Sequence, residues 1–270
     1  MLNDHNQKML NDHNQKTYAA GSVVHHYTQL KRLQPAEKTI LDLFHDQWSK
    51  LKMLDIGVGG GRTTQHFSRL VVDYVGIDYC ADMIAACQQG FVTSSPAAVF
   101  AVCDARDMSQ FDDNSFDFIL FSFNGIDAIS HADRLKVFQE VCRVGKAGAY
   151  FYFSSHNLQG IERELNWRNQ VSFNPITTYV NLVMLALLRF HNRALSLSQI
   201  NAAAHLTIQD ESHNFRLKQY YIRPQAQLNQ LAADFSQIKV YSWKTGLEIT
   251  SDTELNSNTD MWLYYLCMIK

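Results

Sequence analysis

Apolar positions along the chain follow two rhythms: short, nearly continuous runs, and stretches in which they recur every three or four residues. The first fits buried strands and the second fits amphipathic helices. The spacing predicts a helix over 22–33 and another over "AEKTILDLFHDQW", with Pro35 at its first turn. It then predicts a strand at 51–56, a helix over "TTQHFSRLV", a strand at 73–78 and a helix over "ADMIAACQQGF". Further strands fall at 97–105, 115–125 and 149–157, with a helix at 131–145 between the last two. The run at 115–125 is apolar nearly throughout, as a strand covered on both faces should be. After 221 the pattern restarts with a helix over "RPQAQLNQLAADF" and two closing strands at 237–243 and 261–269. No long helix separates these two, so a hairpin-like, antiparallel end to the sheet is expected.

Strands that alternate with helices are most simply arranged as a parallel, doubly wound sheet. The expected fold is α/β and Rossmann-like: seven strands, mostly parallel, helices on both faces and an antiparallel last strand. The core is expected over 17–157 and 222–270, with 158–221 inserted as a lid. Within that insertion "YVNLVMLALLRF", 179–190, is the longest apolar stretch. It is too short for a membrane span and carries Asn181 and Arg189, so a buried helix is expected in preference to a membrane-facing one. Residues 1–16 read "MLNDHNQK" twice and are polar without a period, so this duplicated tail is expected to be disordered. Its His5 and His13 are too sparse for a chelate, and no metal is expected elsewhere.

Composition narrows the classes. The 270 residues are 46% hydrophobic, enough for one well-buried core. A net charge of -2 and a pI near 6.6 leave no basic surplus for a nucleic-acid backbone. The five cysteines are scattered, with no C-x-x-C, and no signal peptide is evident. Reduced thiols and a cytoplasmic location are expected.

The stretch "MLDIGVGGGRT", 53–63, ends a strand in a cluster of glycines. In an open parallel sheet, ligands bind at the carboxyl ends of the strands. The dinucleotide fingerprint G-x-G-x-x-G fails here, because its third glycine would fall at Arg62. No Gly-Lys-Ser/Thr follows, so the Walker phosphate loop is absent as well. Asp78 ends the second strand about twenty residues on, where a carboxylate takes ribose hydroxyls. Asp104 ends the third, where an acceptor meets the amine of adenine. Together these describe a nucleoside with a small, unphosphorylated group on its 5′ side.

"LDIGVGGGRT", "YVGIDYCADMI", "VCDARDM" and "FDFILFSFNGID" resemble the successive motifs of class I S-adenosylmethionine-dependent methyltransferases. They look most like the branch that holds the ubiquinone/menaquinone methyltransferases and many small-molecule enzymes. The resemblance covers 50–155 well, and 20–50 and the last fifty residues more loosely. It implies S-adenosyl-L-methionine as cofactor and S-adenosyl-L-homocysteine as product. Gly57, Gly59, Gly60 and Gly61 would wrap the methionine part, and Ser122 would approach it. Asp78 would hold the ribose, with Tyr79 and Met83 beside it. Asp104 and the backbone of Ala105 would meet the adenine edge, and Tyr27 would cover the cofactor. The family's "LKPGG" is replaced by "VGKAGA", and "NGID" is not a quinone-enzyme pattern.

The resemblance implies methyl transfer to oxygen or nitrogen of a small-molecule acceptor. Such a reaction needs alignment and, where the acceptor carries a proton, a base. The candidates are His156 in "SSHN" and Asp127 in "NGID", with Asn124 and Asn157 as orienting groups. His156 could equally serve the backbone at a strand end, and Asp127 could cap a helix. Trp167, Phe173, Tyr179, Met184 and Phe190 form an acceptor pocket, pack the lid on the core, or build a homodimer face. Arg163 and Arg168 either pair with an anionic acceptor or are solvated. His25 and His26 flank the covering tyrosine about 100° apart on a helix, so at most one faces the cofactor. Two other readings stay open: a non-catalytic adenosyl-binding sensor or scaffold, and a methyltransferase acting on protein. A nicotinamide reductase is disfavoured by Arg62.

Overall fold

A computed structural model describes residues 21–91, 95, 97–212 and 215–270. The duplicated tail, 1–16, lies outside the described residues. The chain opens with helices α1 (Gly21–Gln29) and α2 (Pro35–Leu43). Pro35 starts α2, and the Glu37 side chain reaches back to accept from the Gln34 N–H at 2.7 Å. There follow β1 (Lys52–Ile56), α3 (Thr64–Phe67), β2 (Asp73–Asp78), α4 (Ala81–Phe91), β3 (Val99–Val102) and β4 (Phe116–Phe121). Helix α5 (His131–Val144), capped by Ser130, leads into the long β5 (Gly145–Asn157). Next come α6 (Leu158–Leu165), α7 (Pro175–His191), α8 (Leu197–Ala202), β6 (His205–Gln209) and β7 (Lys218–Ile222). The chain closes with α9 (Pro224–Leu231), β8 (Phe235–Ser242), β9 (Glu248–Ile249), α10 (Asp252–Ser257) and β10 (Trp262–Ile269).

The main sheet runs β3-β2-β1-β4-β5-β10-β8-β9. Strands β1 to β5 are parallel neighbours, and β10 lies antiparallel between β5 and β8. The α/β, mostly parallel architecture with an antiparallel last strand is therefore as expected. The sheet has ten strands rather than seven. The three extra strands are local hairpin partners: β9 folds back on β8, and β6 on β7. Strand β7 then joins the end of β5 through His156–Tyr221 and Asn157–Ile222. Strand order reverses between β1 and β4, which opens a crevice at their carboxyl ends.

Alternate residues of each strand feed opposite faces. Leu54, Ile119, Phe151 and Phe153 pack on one side with Phe138 and Val141. Met53, Phe118, Tyr152 and Tyr264 pack on the other with Phe44 and Trp48. Segment 158–221 is organised around a separate cluster that includes Leu158, Ile161, Leu185, Leu188 and Tyr221.

Three elements differ from the sequence pattern. Helix α1 ends at Gln29, and the helix expected over 63–71 is only the single turn of α3, followed by turns. Most notably, α7 is not buried. Asn174 caps it and Pro175 starts it, but only Leu185 and Leu188 are fully covered. It packs along one stripe, and the rest of its apolar surface faces outward.

Candidate functional site

The crevice holds a cavity of about 380 Å³, within the range of small-molecule sites. Tyr27, Gly57, Gly59, Asp78, Tyr79, Met83, Asp104, Ala105 and Ser122 line it. Gly57 and Gly59 turn the chain off β1 with φ of +65° and +53°. Gly60 and Gly61 do not line the cavity. A Cβ on Gly60 would stand 2.5 Å from the Thr28 backbone nitrogen in α1, and one on Gly61 would stand 2.2 Å from the Phe91 ring. These two glycines let the loop pack against α1 and α4.

Asp78 is buried and accepts from the N–H groups of Gly59 (3.0 Å) and Cys80 (2.9 Å). Burial raises its pKa, and the two backbone donors offset part of that rise. The glycine loop and the acid thus position each other before anything binds. Asp104 is committed differently. Arg106 donates to it from its backbone N–H and from its guanidinium, at 2.9 Å and 3.0 Å for Nε. Burial alone would raise the Asp104 pKa, but Arg106 outweighs it and holds it low.

Behind the loop lies an ion pair that sequence reasoning missed. Arg62 grips Glu37 with both Nη atoms, and Ser122 and Tyr264 also bond Glu37. Glu37 is fully buried; its burial would raise its pKa, but Arg62 keeps it below the usual carboxylate range. The residue that breaks the dinucleotide fingerprint is thus the brace between the glycine loop and α2. A clue was present in the sequence: an arginine directly after the glycines needs a buried partner. Nothing local named Glu37, 25 residues upstream. Asp55 lies beneath the loop and accepts from Thr63 and from Tyr74 at 2.6 Å. Burial pushes its pKa up to about 6.

The loop after β4 carries Phe123 and Asn124 consecutively in the left-handed region, with φ of +59° and +61°. Such non-glycine conformations are costly and cluster at functional sites. Phe123 faces Tyr27 edge-on and lies beneath the Arg62 guanidinium. Asn124 points away from this cavity and meets His156, its Nδ2 standing 3.2 Å from Nε2. Among the described residues, Asn124 Oδ1 is buried without a hydrogen-bond partner.

His156 lines a second cavity of about 330 Å³, together with Tyr221, Trp262, Met184, Glu164 and Glu211. Its ring stacks on Tyr221 at 4.7 Å. Its Nδ1 lies 2.8 Å from Asp127 Oδ2, at ion-pair distance but out of line for a hydrogen bond. Asp127 is fully buried. It also accepts from Arg134, from Ser155 Oγ at 2.9 Å and from the His156 N–H at 2.6 Å. It reaches neither cavity, so its contact is with His156 rather than with a ligand. Asn157 caps α6 and bonds the Asn258 carbonyl.

Glu164, Asp210 and Glu211 all line the second cavity, with Asp210 already accepting from the Ser212 N–H and the Tyr221 hydroxyl. Burial and the other two acids raise the pKa of Glu211. Of the aromatic and apolar candidates in this segment, Met184 lines the cavity, whereas Trp167, Phe173, Tyr179 and Phe190 are exposed. Arg163 and Arg168 are exposed, and so are His25 and His26. Burial pushes the thiols up, Cys103 to about 11 and Cys87 to about 12, so neither is a nucleophile at neutral pH.

Residues 53–148 match the family model described as a methyltransferase domain. No curated protein matches the chain. Among solved structures, a Pyrococcus horikoshii OT3 protein is 18% identical, with a TM-score of 0.56 over 90% of this chain and 95% of its own. A Mesorhizobium loti S-adenosylmethionine-dependent methyltransferase is 14% identical, with a TM-score of 0.57 over 86% and 97%. Haemonchus contortus phosphoethanolamine N-methyltransferase 1, solved with S-adenosylhomocysteine, is 12% identical, with a TM-score of 0.59 over 97% of this chain and 49% of its own. The chain thus carries a methyltransferase domain over 53–148, and its fold is shared with solved S-adenosylmethionine-dependent methyltransferases. A buried acid, open glycine backbone and a half-buried tyrosine converge on the first cavity.

Proposed function

We propose that this enzyme is an S-adenosylmethionine-dependent methyltransferase that acts on a small molecule held in the second cavity, and that the accepting atom is an amine nitrogen. The observation that carries the reading is the join between the two cavities. Phe123 and Gly125 line the first, while Asn124 between them touches His156 of the second.

S-adenosylmethionine supplies a methyl already activated on a sulfonium. The protein's part is to hold, orient and deprotonate. Asp78 holds the ribose, Tyr27 covers the ligand, and Ser122 with the Gly57–Gly59 turn faces its methionine end. Tyr79 and Met83 flank the ribose and adenine, and Asp104 with the Ala105 backbone takes the adenine edge after Arg106 yields. Gly60 and Gly61 act indirectly, by fixing the loop.

Three carboxylates at the second cavity favour a cationic guest over an anionic one, and the rings of Tyr221, Trp262 and His156 suit it as well. An ammonium group must lose a proton before its nitrogen can attack. Asn124 donates to His156 Nε2, which leaves the ring proton on Nδ1 beside Asp127. His156 Nε2 becomes the base when Asn124 turns its amide to the acceptor and frees the lone pair it occupies, and Asp127 is a positioning residue that holds the ring. Asn124 Oδ1 is free to accept from the substrate N–H.

The test is release of S-adenosylhomocysteine across a panel of small amines, phenols and carboxylic acids. Turnover on amines alone, lost in His156→Gln, supports the reading. Turnover on acids, or none on any acceptor while S-adenosylmethionine still binds, overturns it; the latter favours the sensor.

A further inference from the structure

Helix α7 has two apolar stripes. One, containing Leu185 and Leu188, packs on α6 and the second cavity. The other runs through Ile176, Val180, Val183, Leu187 and Phe190 at spacings of four, three, four and three, and is exposed along its whole length. Tyr179 (70% exposed) lies beside it, and Phe173 is fully exposed just before the helix. A soluble surface rarely leaves so continuous an apolar face uncovered.

The charge around this face identifies what covers it. From 165 to 209 there is no aspartate or glutamate, although the chain as a whole is net acidic. Three arginines stand in that span: Arg168 before the helix, Arg189 in its last turn and Arg193 just after it. Arg168 and Arg193 are exposed. A second copy laid antiparallel would bring Arg168 of one chain toward Arg189 and Arg193 of the other, with no acid in the span to balance them. An anionic surface complements the same charges. An apolar stripe with aromatic residues along it and arginines at both ends is the pattern of a helix lying in a lipid interface. At 17 residues α7 is too short to span a bilayer, and no described helix is long and apolar enough to cross one.

We propose that the outer face of α7 docks on an anionic phospholipid surface, with Phe173, Tyr179 and Phe190 entering the headgroup region and Arg168 and Arg193 pairing with lipid phosphates. The opposite face of the helix lines the second cavity, so docking leaves that cavity one helix diameter, roughly 10 Å, from the bilayer surface.

The test is co-sedimentation of the full chain with vesicles of mixed phosphatidylglycerol and phosphatidylcholine, and with vesicles of phosphatidylcholine alone. Binding to the anionic vesicles that falls by at least about tenfold in Phe173→Ser/Tyr179→Ser supports docking. A fall of roughly thirtyfold in Arg168→Gln/Arg193→Gln, with weak binding to neutral vesicles, supports the charge pairing. Unchanged affinity for S-adenosylhomocysteine in both variants verifies that they are folded. No binding of the folded protein to either vesicle overturns the proposal. So does a dimer in light scattering that the Phe173→Ser/Tyr179→Ser variant dissolves, because the face then belongs to a second copy.

Discussion

The two cavities are built by opposite means. The first is shaped by backbone: a turn at Gly57 and Gly59, an acid held by two peptide N–H groups, and an ion pair behind it. The second is shaped almost wholly by side chains from separate elements, from Ile161 to Trp262. A site made of backbone is rigid and serves one ligand. A site made of side chains is open to change without loss of the fold. This division suits an enzyme with a fixed methyl donor and an acceptor of its own.

The sharpest test of that division is to damage one cavity and read the other. His156→Gln should lower turnover by about 10²–10⁴-fold and leave S-adenosylhomocysteine affinity unchanged in calorimetry. Loss of that affinity would show that the two sites are not separable. Next in size, Arg62→Ala strands Glu37 as a buried, unpaired charge and should cost about 3–5 kcal/mol in urea unfolding. A loss below about 1 kcal/mol would mean that the pair does not brace the loop.

The regions should also respond oppositely to pH. Asp55 keeps its proton to about pH 6 when folded, against an ordinary value of 3.8. Its favourable contribution is therefore full below 3.8 and lost as pH rises through about 6. The loss approaches about 3 kcal/mol near neutrality. Asp55→Asn should recover most of it at pH 7 and nothing near pH 4. At the join of α5 and β6, His131 and His205 stack at 4.2 Å. Burial lowers the pKa of both, His205 and then Arg134 add to it at His131, and Arg134 adds to it at His205. Neutral rings stabilise this join, and the stability is lost as pH falls and they charge. Proteolysis of segment 158–221 should therefore quicken between pH 7 and pH 5, and His205→Phe should blunt that change.

Two smaller effects separate the acids of the first cavity. Asp78→Ala should weaken S-adenosylhomocysteine binding by 1.5–3 kcal/mol, about 10–150-fold. Arg106→Gln releases Asp104 from a half-exposed pair and should tighten binding by no more than about fivefold. Weaker binding instead would mean that Arg106 itself contacts the ligand.

What was legible in the sequence follows the same division. Asp78, Asp104, Gly57 and Gly59 could be read as lining one crevice because each lies at a strand end, and strand ends in a parallel sheet share one edge. His156 was found for the same reason, at the end of β5. Its tie to Asp127 was not, because it depends on how the 3-10 turn at Gly125–Ala128 folds back. The wall of the second cavity was only partly legible, since Glu164 and Glu211 meet through tertiary packing alone. Helix α7 was read as buried because apolar residues on every side fit a core helix. Hydropathy does not say whether both stripes find a neighbour inside the same chain.

The crowding at Gly60 and Gly61 bears on how this gene can vary. Any single-base change that alters a glycine codon yields either a stop or a residue with a Cβ. At Gly60 that atom would run into backbone, and at Gly61 into the Phe91 ring. The loop therefore has no neighbouring sequence that keeps its shape. A deep mutational scan should show these two positions as blank columns, while the outward stripe of α7 tolerates exchange among apolar residues.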